Sequence, residues 1–147
     1  MTETAAPAAG PELETAPALV VEDLVKTFPV GKQRLTALDR VSCTIRPHRV
    51  TGLIGPDGAG KTTLMRLCAG LLTPDRGSLS VLSIDAIREP LTVQANIGYM
   101  PQRFGLYEDL SVQENLDLYA DLQGVPREQR AERYDQLLAM AGLAGFR

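Results

Sequence analysis

"GLIGPDGAGKTTLM", residues 52–65, decides how this chain is read. Small and flexible residues surround a proline and an aspartate, and a lysine, two threonines and an apolar run follow. Gly55, Gly60, Lys61 and Thr62 fit the pattern G-x-x-x-x-G-K-[ST], a Walker A phosphate-binding loop. Glycines let the backbone wrap so that successive N–H groups point inward, making a concave anion site. A helix starting near Gly60 brings its positive N-terminal end to the same place. A triphosphate suits that field: Lys61 would bridge its β- and γ-phosphates, and the Thr62 hydroxyl would ligate Mg²⁺.

Reading outward, the segments on either side carry the pattern of an α/β chain. "ALVVEDLVKTF" (18–28) is rich in β-branched residues and reads as a strand ending at Pro29, with "VGKQR" as a hairpin turn. "LTALDRVSCTI" reads as one or two further strands, with Val41, Cys43 and Ile45 on one face. Val50 to Ile54, short and apolar, reads as a buried strand of a parallel sheet leading into the loop. From Lys61 a helix is expected, with Leu64, Leu67, Cys68 and Leu71 at helical spacing and "TPDRG" as its end. "SLSVLSI" and "IGYMPQ" read as strands, while "REPLTVQAN" is ambiguous. Ser111 and Glu114 form an S-x-x-E capping box that opens a helix closed by Gly124, with Val112, Leu116, Tyr119 and Leu122 able to share one face. Pro126 starts another helix, in which Tyr134, Leu137, Leu138 and Ala141 can face a core and "REQRAER" stays in water.

Composition narrows the class further. The chain has 147 residues, 44% of them hydrophobic and 22% charged, enough for one modest domain. With 15 basic against 18 acidic residues the net charge is -3, which gives no sign of a nucleic-acid surface. No apolar run approaches the ~20 residues of a membrane-spanning helix. Residues 1–17 carry acids and no Lys or Arg, unlike a secretory signal, and read as a disordered tail on a cytosolic protein. Cys43, Cys68 and the lone His48 have no metal-ligand spacing; the cysteines read as small apolar residues and His48 as a solvated loop residue.

From "VEDLVKTF" through "GPDGAGKTT" to "IGYMPQRFGLYEDLSVQENLDLYADLQGV", the sequence resembles the ATP-binding domain of ABC transporters. It looks most like the ATPase subunits of bacterial multidrug exporters whose permease is a separate chain. The resemblance covers residue 18 to the end, and implies a P-loop NTPase fold of the ABC type with an antiparallel β subdomain at the N-terminus. It implies that Gly55, Pro56, Asp57, Gly58, Ala59, Gly60, Lys61, Thr62 and Thr63 cradle the phosphates of ATP, with Asp57 standing where many members have Asn. Phe28 occupies the place of an aromatic residue that stacks on adenine. Gln102, in "MPQ", matches a glutamine that reaches toward Mg²⁺ and the attacking water. Residues 103–110 would meet the permease, a second ATP-binding domain would complete a dimer, and the assembly would sit at the inner face of the plasma membrane.

The resemblance also names parts that are not found. No LSGG signature, no apolar strand ending in Asp-Glu and no switch histidine occur. The chain is therefore expected to be the N-terminal portion of such a domain, with its C-terminal half missing, and hydrolysis by it alone is not expected. Residues 50–54 would then keep an exposed apolar face. Two other readings stay open: a non-catalytic nucleotide-binding fragment, and a different P-loop enzyme such as a small-molecule kinase or GTPase, although no N-K-x-D motif is present.

Overall fold

The computed structural model describes residues 16–102 and 105–146, and the chain divides into two compact units between Tyr99 and Met100. Most of the 1–17 tail, and Arg103 and Phe104 of the expected permease-facing segment, lie outside the described residues.

The first unit is built on a long hairpin. β1 (Leu19–Val30) and β2 (Gln33–Ile45) run antiparallel and turn at Gly31 and Lys32, where Gly31 has φ +59. β1 does not end at Pro29. Pro29 pairs with Arg34 at a point where β3 no longer flanks the strand, so its missing N–H costs no ladder bond there. Alternation on β2 is as read: Val41, Cys43 and Ile45 are half-buried while Ser42 and Thr44 are exposed. The registers Lys26↔Leu38 and Thr27↔Thr36 leave Ala37 as an extra residue, a β-bulge on β2.

α1 (Lys61–Cys68) follows the glycine loop, and β3 (Arg76–Val81) returns to pair with β1. "SLSVLSI" is a hairpin rather than one strand. Leu82 and Ser83 both take positive φ, a two-residue turn, and the short β4 (Ile84–Asp85) pairs back on β3. The sheet order is β2-β1-β3-β4, antiparallel throughout. α2 (Pro90–Asn96) resolves the ambiguous segment as a helix with Pro90 in its first turn, where the missing N–H is unneeded. Leu24, Leu67, Val21 and Val93 are its most deeply buried side chains, so sheet, α1 and α2 share one core.

Three expectations fail along this stretch of the chain. Residues 50–54 form no strand: Val50 and Ile54 are fully exposed, and no parallel pairing exists among the described residues. An apolar run becomes a strand only where a neighbour takes its N–H and C=O groups, and among the described residues none pairs with it. The exposed apolar face expected for this segment is what the structure has. "IGYMPQ" is likewise extended without being a strand. Leu71 lies beyond α1, which stops at Ala69 and Gly70, and is about half exposed.

The second unit is a helical pair. α3 (Val112–Leu122) begins with both halves of the Ser111–Glu114 capping box in place. Its buried residues are Asn115 and Ala120, whereas Tyr119 and Leu122 are exposed, so the expected apolar stripe is displaced by a polar residue. α4 (Arg127–Met140) follows Pro126 and buries Tyr134 and Leu138, but Leu137 and Ala141 face water. Within "REQRAER", Arg130 is not solvated. Its side chain is 13% exposed, donating to Asp121 at 2.7 Å and to the Val125 carbonyl.

Candidate functional site

Loop 55–62 occupies the end of the first unit where α1 meets β2. Gly58 and Gly60 take φ +78 and +86, in the left-handed region that side chains disfavour. At Gly60 the requirement is steric as well: a Cβ there would stand 2.4 Å from the Ala37 carbonyl oxygen and 2.9 Å from Leu38 Cδ2. The β2 bulge therefore brings backbone into contact with the helix start. A Cβ on Gly55 would lie 3.6 Å from Ala59 Cβ, so the loop closes back on itself.

The Lys61 ammonium turns into this ring. Its Nζ donates to the Gly55 carbonyl at 2.7 Å and the Pro56 carbonyl at 2.6 Å. Gly60 is the N-cap residue of α1 and no side chain caps the helix, so the first-turn N–H groups carry no side-chain acceptor. Thr62 is exposed on the first turn and Thr63 is half-buried. Pro56, Asp57 and Ala59 are exposed loop residues, closed by Ala59 N–H to the Pro56 carbonyl at 3.3 Å. Open amides, an ammonium and a hydroxyl together form a donor set suited to a polyphosphate with its metal ion.

Phe28 is half-buried on β1, opposite Leu35, and lies two residues along the strand from Lys26, whose partner Leu38 touches the Gly60 position. The hairpin thus ties Phe28 to the end of the sheet that holds the loop. Sequence reasoning missed the side chains around it. Lys26 Nζ stands 5.5 Å from the Phe28 ring centroid. It donates to the Thr73 carbonyl at 2.7 Å and pairs with Asp75 at 3.4 Å. Asp75 also accepts from Thr27 N–H at 2.7 Å and Thr27 Oγ1 at 2.8 Å. The Thr27 bonds, followed by the Lys26 charge, hold its carboxyl below the usual carboxylate range. The i, i+2 spacing of Lys26 and Phe28 was legible as a shared strand face, but the arrival of Asp75 from 48 residues beyond Thr27 was not.

Gln102 belongs to the second unit, exposed at a bend. In the same unit the turn at residues 107–109 is tied to α3. Asn115 Oδ1 accepts from Tyr107 N–H, and Nδ2 donates to the carbonyls of Tyr107, Leu110 and Ser111. Leu106 and Tyr107 stay exposed. Cys43 and Cys68 are free and half-buried against the core, and burial pushes the Cys68 thiol up to about 11. His48 is exposed in a turn.

Residues 38–147 match the family described as ABC transporter. The chain belongs to the ABC transporter family. This ABC domain is 51% identical over 129 residues to the Probable multidrug ABC transporter ATP-binding protein YbhF of Escherichia coli, covering 87% of the present chain and 22% of the relative. It is 37% identical over 127 residues to the Methionine import ATP-binding protein MetN of Corynebacterium diphtheriae, covering 84% and 37%. Among solved structures it superposes with a TM-score of 0.74 and 25% identity on the ATP-binding cassette MJ0796, a dimeric post-hydrolysis state bound to ADP and Pi. That match covers 84% of this chain and 57% of the solved one. The ABC domain therefore has the cassette fold over about half of a solved cassette chain, and spans about a fifth of the length of YbhF. Its family binds ATP. Among the described residues no helix is long and apolar enough to cross a membrane.

Proposed function

We propose that this chain binds MgATP in loop 55–62 and serves as the nucleotide-binding portion of a transport ATPase of the multidrug-exporter kind, working from the inner face of the membrane on a separate permease. In this reading residues 18–147 belong to the nucleotide-binding domain and residues 1–17 are a tail. The carrying observation is the junction of loop and helix: an uncapped α1, Gly60 pressed on the Ala37 carbonyl, and the Lys61 ammonium drawn inside the loop.

Each residue then has a task. The N–H groups of the glycine loop and of the first turn of α1 would hold phosphate oxygens, and Lys61 would exchange its two carbonyl partners for the β- and γ-phosphates. Thr62 Oγ1 would be a ligand for Mg²⁺, Thr63 would donate to the α-phosphate, and Phe28 would supply a stacking face for adenine. Gln102 would orient the water and touch the metal. The bound nucleotide supplies the phosphoanhydride whose cleavage drives transport. Residues 103–110 would dock the permease, a reading supported by exposed Leu106 and Tyr107 on a turn held by Asn115. Pairing with a second nucleotide-binding domain is supported by the dimeric state of the solved relative. Export rests on the likeness to YbhF, against which MetN, an import protein, stands at lower identity.

Calorimetric titration of the chain with ATP, with Mg²⁺ and with EDTA, tests this. Magnesium-dependent binding is expected, with Lys61→Ala weakening it by about a hundredfold through loss of two charge-assisted hydrogen bonds. A folded chain without affinity for MgATP would overturn the reading.

A further inference from the structure

We propose that Lys26 is a positioning residue for nucleotide recognition: its ammonium, anchored by Asp75 and the Thr73 carbonyl, fixes one face of the Phe28 ring so that the other face receives the base. The inference rests on the reading of Phe28 as a base platform given above. An aromatic ring on a strand stacks well only when its tilt is fixed, because the contact is lost with small rotations about χ2. Phe28 is half-buried and sits near the free end of the hairpin, where the last pairs of β1 are with β2 alone. Within the sheet only β2 therefore flanks it.

Lys26 supplies the missing constraint. Its side chain is only 15% exposed, although lysine ammonium groups ordinarily reach for water. It stays because three groups hold it: the Thr73 carbonyl at 2.7 Å, Asp75 at 3.4 Å and the Phe28 ring face at 5.5 Å. Asp75 is in turn fixed by the two Thr27 bonds, and its own N–H donates to the Val25 carbonyl at 2.8 Å. The segment between α1 and β3 is thus clamped to the strand that carries Phe28. A cation over one face also draws π density toward itself, which reduces repulsion between the opposite face and the π cloud of a purine. The loop amides and Lys61 read only the phosphates, so the Lys26 contribution is confined to the base.

That separation makes the test. MgATP and Mg-tripolyphosphate share the phosphate contacts and differ in the base and sugar. Affinities for both are measured by titration calorimetry on the full chain and on Lys26→Met, Asp75→Asn, Lys26→Arg and Phe28→Ala. Lys26→Met and Asp75→Asn are expected to weaken MgATP by about threefold while leaving tripolyphosphate unchanged, and Lys26→Arg to restore ATP binding. Phe28→Ala is expected to cost on the order of tenfold for ATP alone. Unchanged tripolyphosphate affinity also shows that each variant is folded. Equal losses for both ligands, or no loss for ATP with Phe28→Ala still selective, overturn the role of Lys26. Phe28→Ala without effect overturns the platform itself, and no binding of either ligand by the unaltered chain overturns the phosphate site, each with the inference built on it.

Discussion

α1 and α3 begin in opposite ways. α3 is closed by its own sequence: Ser111 Oγ accepts from Glu114 N–H at 3.2 Å, Glu114 accepts from Ser111 N–H at 2.8 Å, and Asn115 binds the Ser111 carbonyl. α1 begins at a glycine with φ +86, without a side-chain cap, beneath a lysine bonded to loop carbonyls. A helix start leaves several N–H groups without partners, and a structural helix satisfies them with neighbouring side chains. Where the chain instead spends glycines to keep the amides open, an anion is the expected partner. The difference separates a helix whose start is closed by its own side chains from one whose first-turn N–H groups meet no side-chain cap.

Altering each start should therefore have different consequences. The largest effect is expected for Gly60→Ala, which meets both the positive φ and the Ala37 carbonyl at 2.4 Å. It should destabilise the first unit by roughly 3 kcal/mol and remove MgATP binding, read by thermal denaturation and titration together. Unchanged stability would show that the loop is looser than its contacts imply. Next comes Asn115→Ala, which strands the Tyr107 N–H and removes the side-chain donor to the Leu110 carbonyl, while the Tyr107 and Ser111 carbonyls keep backbone partners; about 2 kcal/mol of destabilisation is expected in chemical denaturation, without loss of MgATP affinity. Ser111→Ala removes half of the capping box and should cost about 1 kcal/mol, again sparing nucleotide binding. Loss of nucleotide affinity in either α3 variant would break the division between the two starts.

The smallest effect concerns acid. Ser111 bonds hold the Glu114 carboxyl below its ordinary 4.5, and Thr27 bonds followed by Lys26 hold Asp75 below its ordinary 3.8. Both carboxylates bind protons less readily in the folded chain. Their stabilisation is therefore complete above those ordinary values and disappears as pH falls through the lower folded ones. Both are solvent-screened, so the slope is shallow. Glu114→Gln and Asp75→Asn should each flatten the acid limb of a pH titration of stability, and a steeper limb in either would contradict the bonding described.

Much of this was legible in the chain itself. The loop motif, the Gly31–Lys32 turn and the capping box are written in residues a few positions apart, and backbone sterics or local hydrogen bonds act at that range. The alternation on β2 was equally plain because one face of the strand meets the core. The fate of residues 50–54 was not, since a strand exists only through partners that the segment does not contain. Nor could spacing show that Asp75 would reach Thr27, that the Ala37 bulge would press on Gly60, or that Asn115 would replace an apolar residue on the buried face of α3. The sequence by itself determined which groups could hold a phosphate, because that chemistry is local. The tertiary structure decided which side chains support those groups, because their contacts join residues far apart along the chain.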